Sequence, residues 1–208
     1  MGGDPRRRGG PDLTPVDAAP PVRRAGTGLL PWGGRVTWSV AEGARGRRWR
    51  AMLVEEDRVV GVLLVETAPD GRLGRLELST ADGLLSLHIE GDTLHGNVVR
   101  PTGMEHIALP WSDGDLLLVV GTPATAAAAA RMLGDRIGIG QGQTVSGVSV
   151  DVHLGVRRAT FRVARVGPRG WWFVTADTGQ QTGVTLDLDG IPLLADAEHW
   201  PLELDPAD

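Results

Sequence analysis

The sequence predicts a mainly β protein, a strongly curved antiparallel sheet or open barrel with one alanine-rich helix at about residues 122–134. Three observations carry this. From Arg35 onward, short segments of alternating apolar and polar residues recur at a spacing of roughly 8–12 residues. Turn-forming clusters of Gly, Asp and Pro separate them. One run, ATAAAAARML, interrupts the alternation with the best helix former.

The elements follow in order. Residues 1–30 are rich in Pro, Gly, Arg and Asp and poor in large apolar groups, which predicts a disordered tail before a single β-rich domain at 31–208. RVTWSV and RRWRAMLVEE read as the first two strands, and a turn at Asp57 leads to VVGVLLVET. Ala68–Gly71 is a turn by composition. In RLGRLELST, Leu76 and Leu78 share one face and Arg75, Glu77 and Ser79 the other. LLSLHIE, TLHGNVVR, MEHIALP and LLLVVG continue the meander across turns at 81–83, 91–92, 101–103 and 112–115. The apolar faces of such a sheet need cover, from its own curvature or from a helix. The helix has Thr122 as N-cap, Pro123 at its first position and Gly134 at its stop. Gly138, Gly140 and Gly142 then form a loop that lacks the Lys-Ser/Thr of a phosphate loop. VSVDVHL, RRATFRVARVG, GWWFVTADTG, TGVTLDLDG and IPLLA return to strands, and Pro201 marks an edge.

Composition removes several classes of function. With no Cys, a disulfide scaffold, a thiolate nucleophile and a Cys-based zinc site are excluded. A net charge of −5 argues against nucleic acid as a partner, although all 21 basic residues are Arg. No apolar run approaches the roughly 18–20 residues of a membrane span. The N-terminal arginines lead into no apolar stretch of a secretory signal, so the expected location is cytoplasmic.

Candidate chemistry is sparse. His88, His95 and His106 fall on successive strands, but no HExxH or HxH pair marks a metal site, and none is predicted. His95 and His106 are the candidates for acid–base work, should the protein be an enzyme. Glu105 points away from His106. There is no GxSxG elbow. Asp187 and Asp189 share a parity, yet Asp189-Gly190 reads as a turn. The tryptophans say more: seven Trp stand beside two Phe and no Tyr. Trp38, Trp49 and Trp111 suit either a core or the wall of an apolar ligand site. The adjacent Trp171 and Trp172 must face opposite sides of a strand.

With the elements in place, the last 170 or so residues resemble the glycolipid-binding family related in fold to the LolA-like lipoprotein carriers. DGRLGRLELSTADGLLSLHIEGDTLHGN is similar to that family's central hairpins. DLLLVVGTPATAAAAARML, with Asp115, Leu116 and Pro123, is similar to the segment leading into its helix, and TGVTLDLDGIPLL to its closing strand pair. The family's Asn-Thr-Leu-Pro-Ile-Arg-Arg signature is replaced by ATAAAAARML, where Arg131 is the one basic residue. The resemblance implies a curved sheet wrapped about a helix, with an apolar cavity. The expected function is therefore binding of a lipid, glycolipid or other amphipathic small molecule, without a cofactor. Trp38, Trp49 and Trp111 would line the tail or ring, and Arg100 and Arg131 would meet the head group. Two alternatives stay open: a metal-independent cyclase or isomerase using His95 or His106, and a solid-core protein-interaction module. The oligomeric state does not follow from the sequence.

Overall fold

The computed structural model describes residues 23–29, 34–120, 122–195, 200–201 and 203–204. Its strands are β1 (Arg23–Leu29), β2 (Arg35–Gly43), β3 (Gly46–Glu55), β4 (Arg58–Thr67), β5 (Leu73–Thr80), β6 (Gly83–Glu90), β7 (Thr93–Arg100) and β8 (Gly103–Pro110). After β9 (Leu116–Val119) comes the helix α1 (Pro123–Leu133). The chain continues through β10 (Gly142–Val150), β11 (Val156–Arg165), β12 (Gly170–Thr175), β13 (Gln181–Leu186), β14 (Pro192–Ala195), β15 (Trp200–Pro201) and β16 (Glu203–Leu204).

The protein is mainly β, as the alternation predicts. Nine strands form one antiparallel sheet in the order β16-β1-β2-β3-β4-β5-β6-β7-β8. Seven form a second, in the order β15-β14-β13-β12-β11-β10-β9. One continuous cluster of buried apolar residues joins both sheets to α1. Along β3 the pattern is regular: Arg47, Trp49, Ala51 and Leu53 point inward, and Arg48, Arg50 and Met52 point out.

Two features of topology depart from the predicted meander, and VSVDVHL stops being a strand at Val150. First, Arg23–Leu29 lies within the expected tail but pairs with β2 along its whole length. It brings little apolar surface; instead Gly26 and Gly28 sit opposite Trp38 and Val36, so the strand contributes its backbone ladder. The rest of that tail lies outside the described residues. Second, β9 and β10 are parallel, with α1 as the crossover between them. All four residues of β9 are buried, as a strand covered on both faces requires. The two strands approach closely at Gly147, where a Cβ would lie 2.1 Å from the Leu116 carbonyl oxygen.

The helix starts and stops where predicted, with a difference in its cap. Thr122 is extended, but its hydroxyl donates to the Val119 carbonyl at 3.2 Å instead of closing the helix N-terminus. The Thr125 hydroxyl accepts the Val119 N–H at 3.0 Å. Gly134 (φ 45°) ends the helix and donates to the Ala130 carbonyl. Ala124, Ala126, Ala127, Ala129 and Ala130 are buried, so their small side chains let α1 sit deep between the sheets. Ala126→Leu is expected to cost about 1–3 kcal/mol through overpacking, read as a lower denaturant midpoint with an unchanged slope.

Candidate functional site

The residues expected to enclose a ligand are packed into the interior. Trp38, Trp49 and Trp111 are 3, 1 and 7% exposed. The rings of Trp38 and Trp49 lie 6.0 Å apart at 47°, and neither indole N–H has an acceptor among the described residues. The void beneath α1, bordered by Thr67, Asp115, Thr125 and Met132, measures about 20 Å³. That is room for about one water molecule. Trp171 is buried and Trp172 half-buried, on opposite faces as expected. Trp32 and the side chain of Trp200 lie outside the described residues.

The two candidate arginines hold the protein together. Arg131 donates to Glu42 at 2.8 Å and to the Pro69 carbonyl at 2.6 Å, tying the helix end to the β4–β5 turn. The same Glu42 accepts two bonds from the buried Arg47, at 2.9 and 2.6 Å. Arg47 also donates to the carbonyls of Gly190, at 3.1 Å, and Asp189, in the turn that Asp187 organises through its carboxylate. Burial pushes the Glu42 carboxyl up, but Arg47 and then Arg131 outweigh it and hold its pKa below the ordinary value. Arg100 donates to the His153 carbonyl at 2.9 Å, joining the β7–β8 hairpin to the β10–β11 turn.

A third polar cluster closes the corner after Trp111. Asp115 is buried and accepts from the Ser112 N–H (3.0 Å), from Ser146 and from Arg158 (2.7 Å). Burial raises the Asp115 pKa, and the bonds from Arg158, Ser146 and Ser112 together bring it below the ordinary value. An ionised carboxylate with its oxygens occupied is a structural anchor rather than a base. The shallow depression beside it, about 480 Å³, is bordered by Ser146, Arg158, Thr160 and Asp177.

The histidines do come together, on the solvent side. Register pairs His88 with His95 and Asn97 with His106. The His88 and His95 rings are 6.0 Å apart, and His95 and His106 are 6.1 Å apart. His106 Nδ1 lies 3.2 Å from Asn97 Oδ1. Among the described residues no group of three or more His, Asp or Glu is arranged to hold a metal. His106 is exposed and His95 half-buried on this outer face.

That outer face of the nine-stranded sheet carries a trough of about 610 Å³ across β1–β5. Met52, Val62 and Leu64 give it apolar surface, and Thr37, Ser39, Arg50 and Glu77 give it polar groups. Trp38 borders it from within the sheet. The register arranges the face in rows. Met52 pairs with Val62, Val62 with Ser79, Ser79 with Leu84, Leu84 with Val99, and Val99 with Met104. Apart from Ser79 this row is apolar and exposed, from 42% at Val62 to 71% at Met104. The next row runs Ser39, Arg50, Leu64, Glu77, Ser86, Asn97, and is mostly polar. The third places Arg48, Glu66, Arg75 and His88 side by side.

Sequence reasoning missed this trough, though one signal was present. VVGVLLV in β4 is apolar at both parities, the mark of a strand covered on both faces. In the structure its second face, Val62 and Leu64, has no second layer of described residues over it.

No family model matches the chain, and no curated protein matches it. Two solved structures share the fold. A DUF1089 family protein from Pseudomonas aeruginosa is 15% identical with a TM-score of 0.56, over 78% of this chain and 89% of that one. A beta-barrel-like protein of the domain of unknown function DUF1849 from Brucella abortus is 13% identical with a TM-score of 0.50, over 90% and 98%. At these identities the likeness is one of architecture: antiparallel, β-barrel-like sheet.

Proposed function

We propose that the protein binds an amphipathic small molecule, and that the trough on the outer face of the nine-stranded sheet is where it does so. The observation that carries this reading is the trough itself. Its volume of about 610 Å³ falls within the roughly 300–1,000 Å³ of small-molecule sites. Its lining sets Met52, Val62 and Leu64 beside Arg50, Ser39 and Thr37, an apolar floor with a polar margin. Exposed apolar surface of this continuity marks an interaction site more often than chance.

A second reading keeps the ligand between the sheets, as the glycolipid-binding resemblance implies. Its support is the pair of buried indole N–H groups of Trp38 and Trp49, which an oxygen of a bound molecule would satisfy.

Native mass spectrometry of the purified protein, followed by solvent extraction, tests both. A discrete amphiphile near one per chain is expected. Met52→Glu, which sets a charge against the apolar part of the ligand, is expected to weaken its retention about tenfold. Retention unchanged in Met52→Glu moves the site to the interior. A bare mass that stays bare after exposure to lipid mixtures overturns the proposal and leaves the interaction module and the enzyme.

A further inference from the structure

The charge pairing around the trough is uneven. Glu77 is engaged by Arg75, and Glu66 by Arg48 at 2.8 Å. Arg50 lies between these pairs, exposed, and forms no ion pair among the described residues. It stands two residues from Met52 on the same face of β3, directly opposite the exposed Ser39. A guanidinium with no carboxylate partner, at the polar margin of an apolar trough, is a receptor for an anionic group.

The apolar row extends the trough in one direction only. From Met52 on β3 to Met104 on β8 it crosses five strand spacings, roughly 24 Å, the span of a long extended hydrocarbon chain. Leu84, Val99 and Met104 lie on this row beyond the trough. Neither the trough nor the row alone points to a long ligand; a surplus cation at one end of a track that is apolar but for Ser79 does.

From this we infer that the ligand is a single-chain anionic amphiphile, its carboxylate or phosphate held by Arg50 and its chain laid along Met52, Val62, Leu84, Val99 and Met104. The inference rests on the proposed function and adds head-group charge and chain length to it. A chain lying on an open sheet is covered on one side. Each further methylene is then worth about a twofold gain in affinity, half the roughly fourfold of full burial.

The test uses the full chain and titrates octanoate, dodecanoate and hexadecanoate, with hexadecanol as the neutral match, each below its aggregation threshold. Affinity is expected to rise with each step in length, and hexadecanol to bind about tenfold more weakly than hexadecanoate. Arg50→Gln is expected to remove the preference for the acid while the alcohol binds as before. Val99→Thr with Met104→Gln, both outside the trough, is expected to leave octanoate unchanged and to abolish the gain from dodecanoate to hexadecanoate. Equal binding of acid and alcohol, or affinity independent of length, overturns this inference while the trough reading survives. No binding by any member overturns both. Binding to anionic phospholipid vesicles with no binding of the monomers moves the occupant to a lipid surface and overturns the single-molecule assignment.

Discussion

Replacing Glu42 with alanine is expected to lower the unfolding free energy by about 3–5 kcal/mol, the cost of stranding a buried charge. Arg47 is 5% exposed, and its guanidinium has a carboxylate on one side and two carbonyls on the other. Without Glu42 the charge stays buried with dipoles alone to compensate it. The loss also frees Arg131, and with it the link between the helix end and the β2–β3 hairpin. Chemical denaturation of Glu42→Ala checks the size. A double variant that also replaces Arg47 with methionine checks the cause, because removing both partners should restore much of the stability. Equal loss in the single and double variants would sink the stranded-charge explanation.

Asp115→Ala is expected to cost about 2–3 kcal/mol, in line with hydrogen bonds to a charged group. The lower figure reflects Arg158, which is 38% exposed at its side chain and can turn to water when its partner is lost. Ser146 and the Ser112 N–H have less freedom, and the corner that seats Trp111 should loosen. Both carboxylates also set a pH dependence. Their folded pKa values lie below the ordinary ones, so each contributes stability above the ordinary carboxylate range. That contribution is lost as pH falls through the folded values. The unfolding free energy should therefore drop on acidification, and drop less in a Glu42→Gln, Asp115→Asn double variant. An identical slope in both proteins would place the acid sensitivity elsewhere.

Local chemistry was legible wherever it acts within a few residues. The turns at Asp57, Ala68–Gly71 and Gly91-Asp92 fall between observed strands, and Thr122 and Gly134 bracket the helix. β1 was not legible, because a strand that offers glycines opposite a tryptophan has no apolar period of its own. The parallel β9–β10 pair was hidden for a different reason: LLLV reads the same in either orientation. The alternation after Val150 was misleading, since Asp151–Leu154 is a turn with Leu154 at φ 63°. The trough depends on register. Met52, Val62, Leu84, Val99 and Met104 are unremarkable singly, and become a row only when six strands, β3 to β8, are aligned. The tryptophans and Arg131 were conspicuous by type, but type alone does not separate a wall from a core or a head-group contact from a clamp.

The pairing of β1 with β16 has a consequence for the order of biosynthesis. Strands β2–β8 each pair with their neighbours in sequence, so this meander needs short loop closures and can assemble as the chain leaves the ribosome. Gly26 and Thr27 must wait for Leu204 and Glu203. Until those residues are translated, β1 holds an open hydrogen-bonding edge. Sealing that edge is thus a late step, and the nascent chain is most exposed to mispairing just before it.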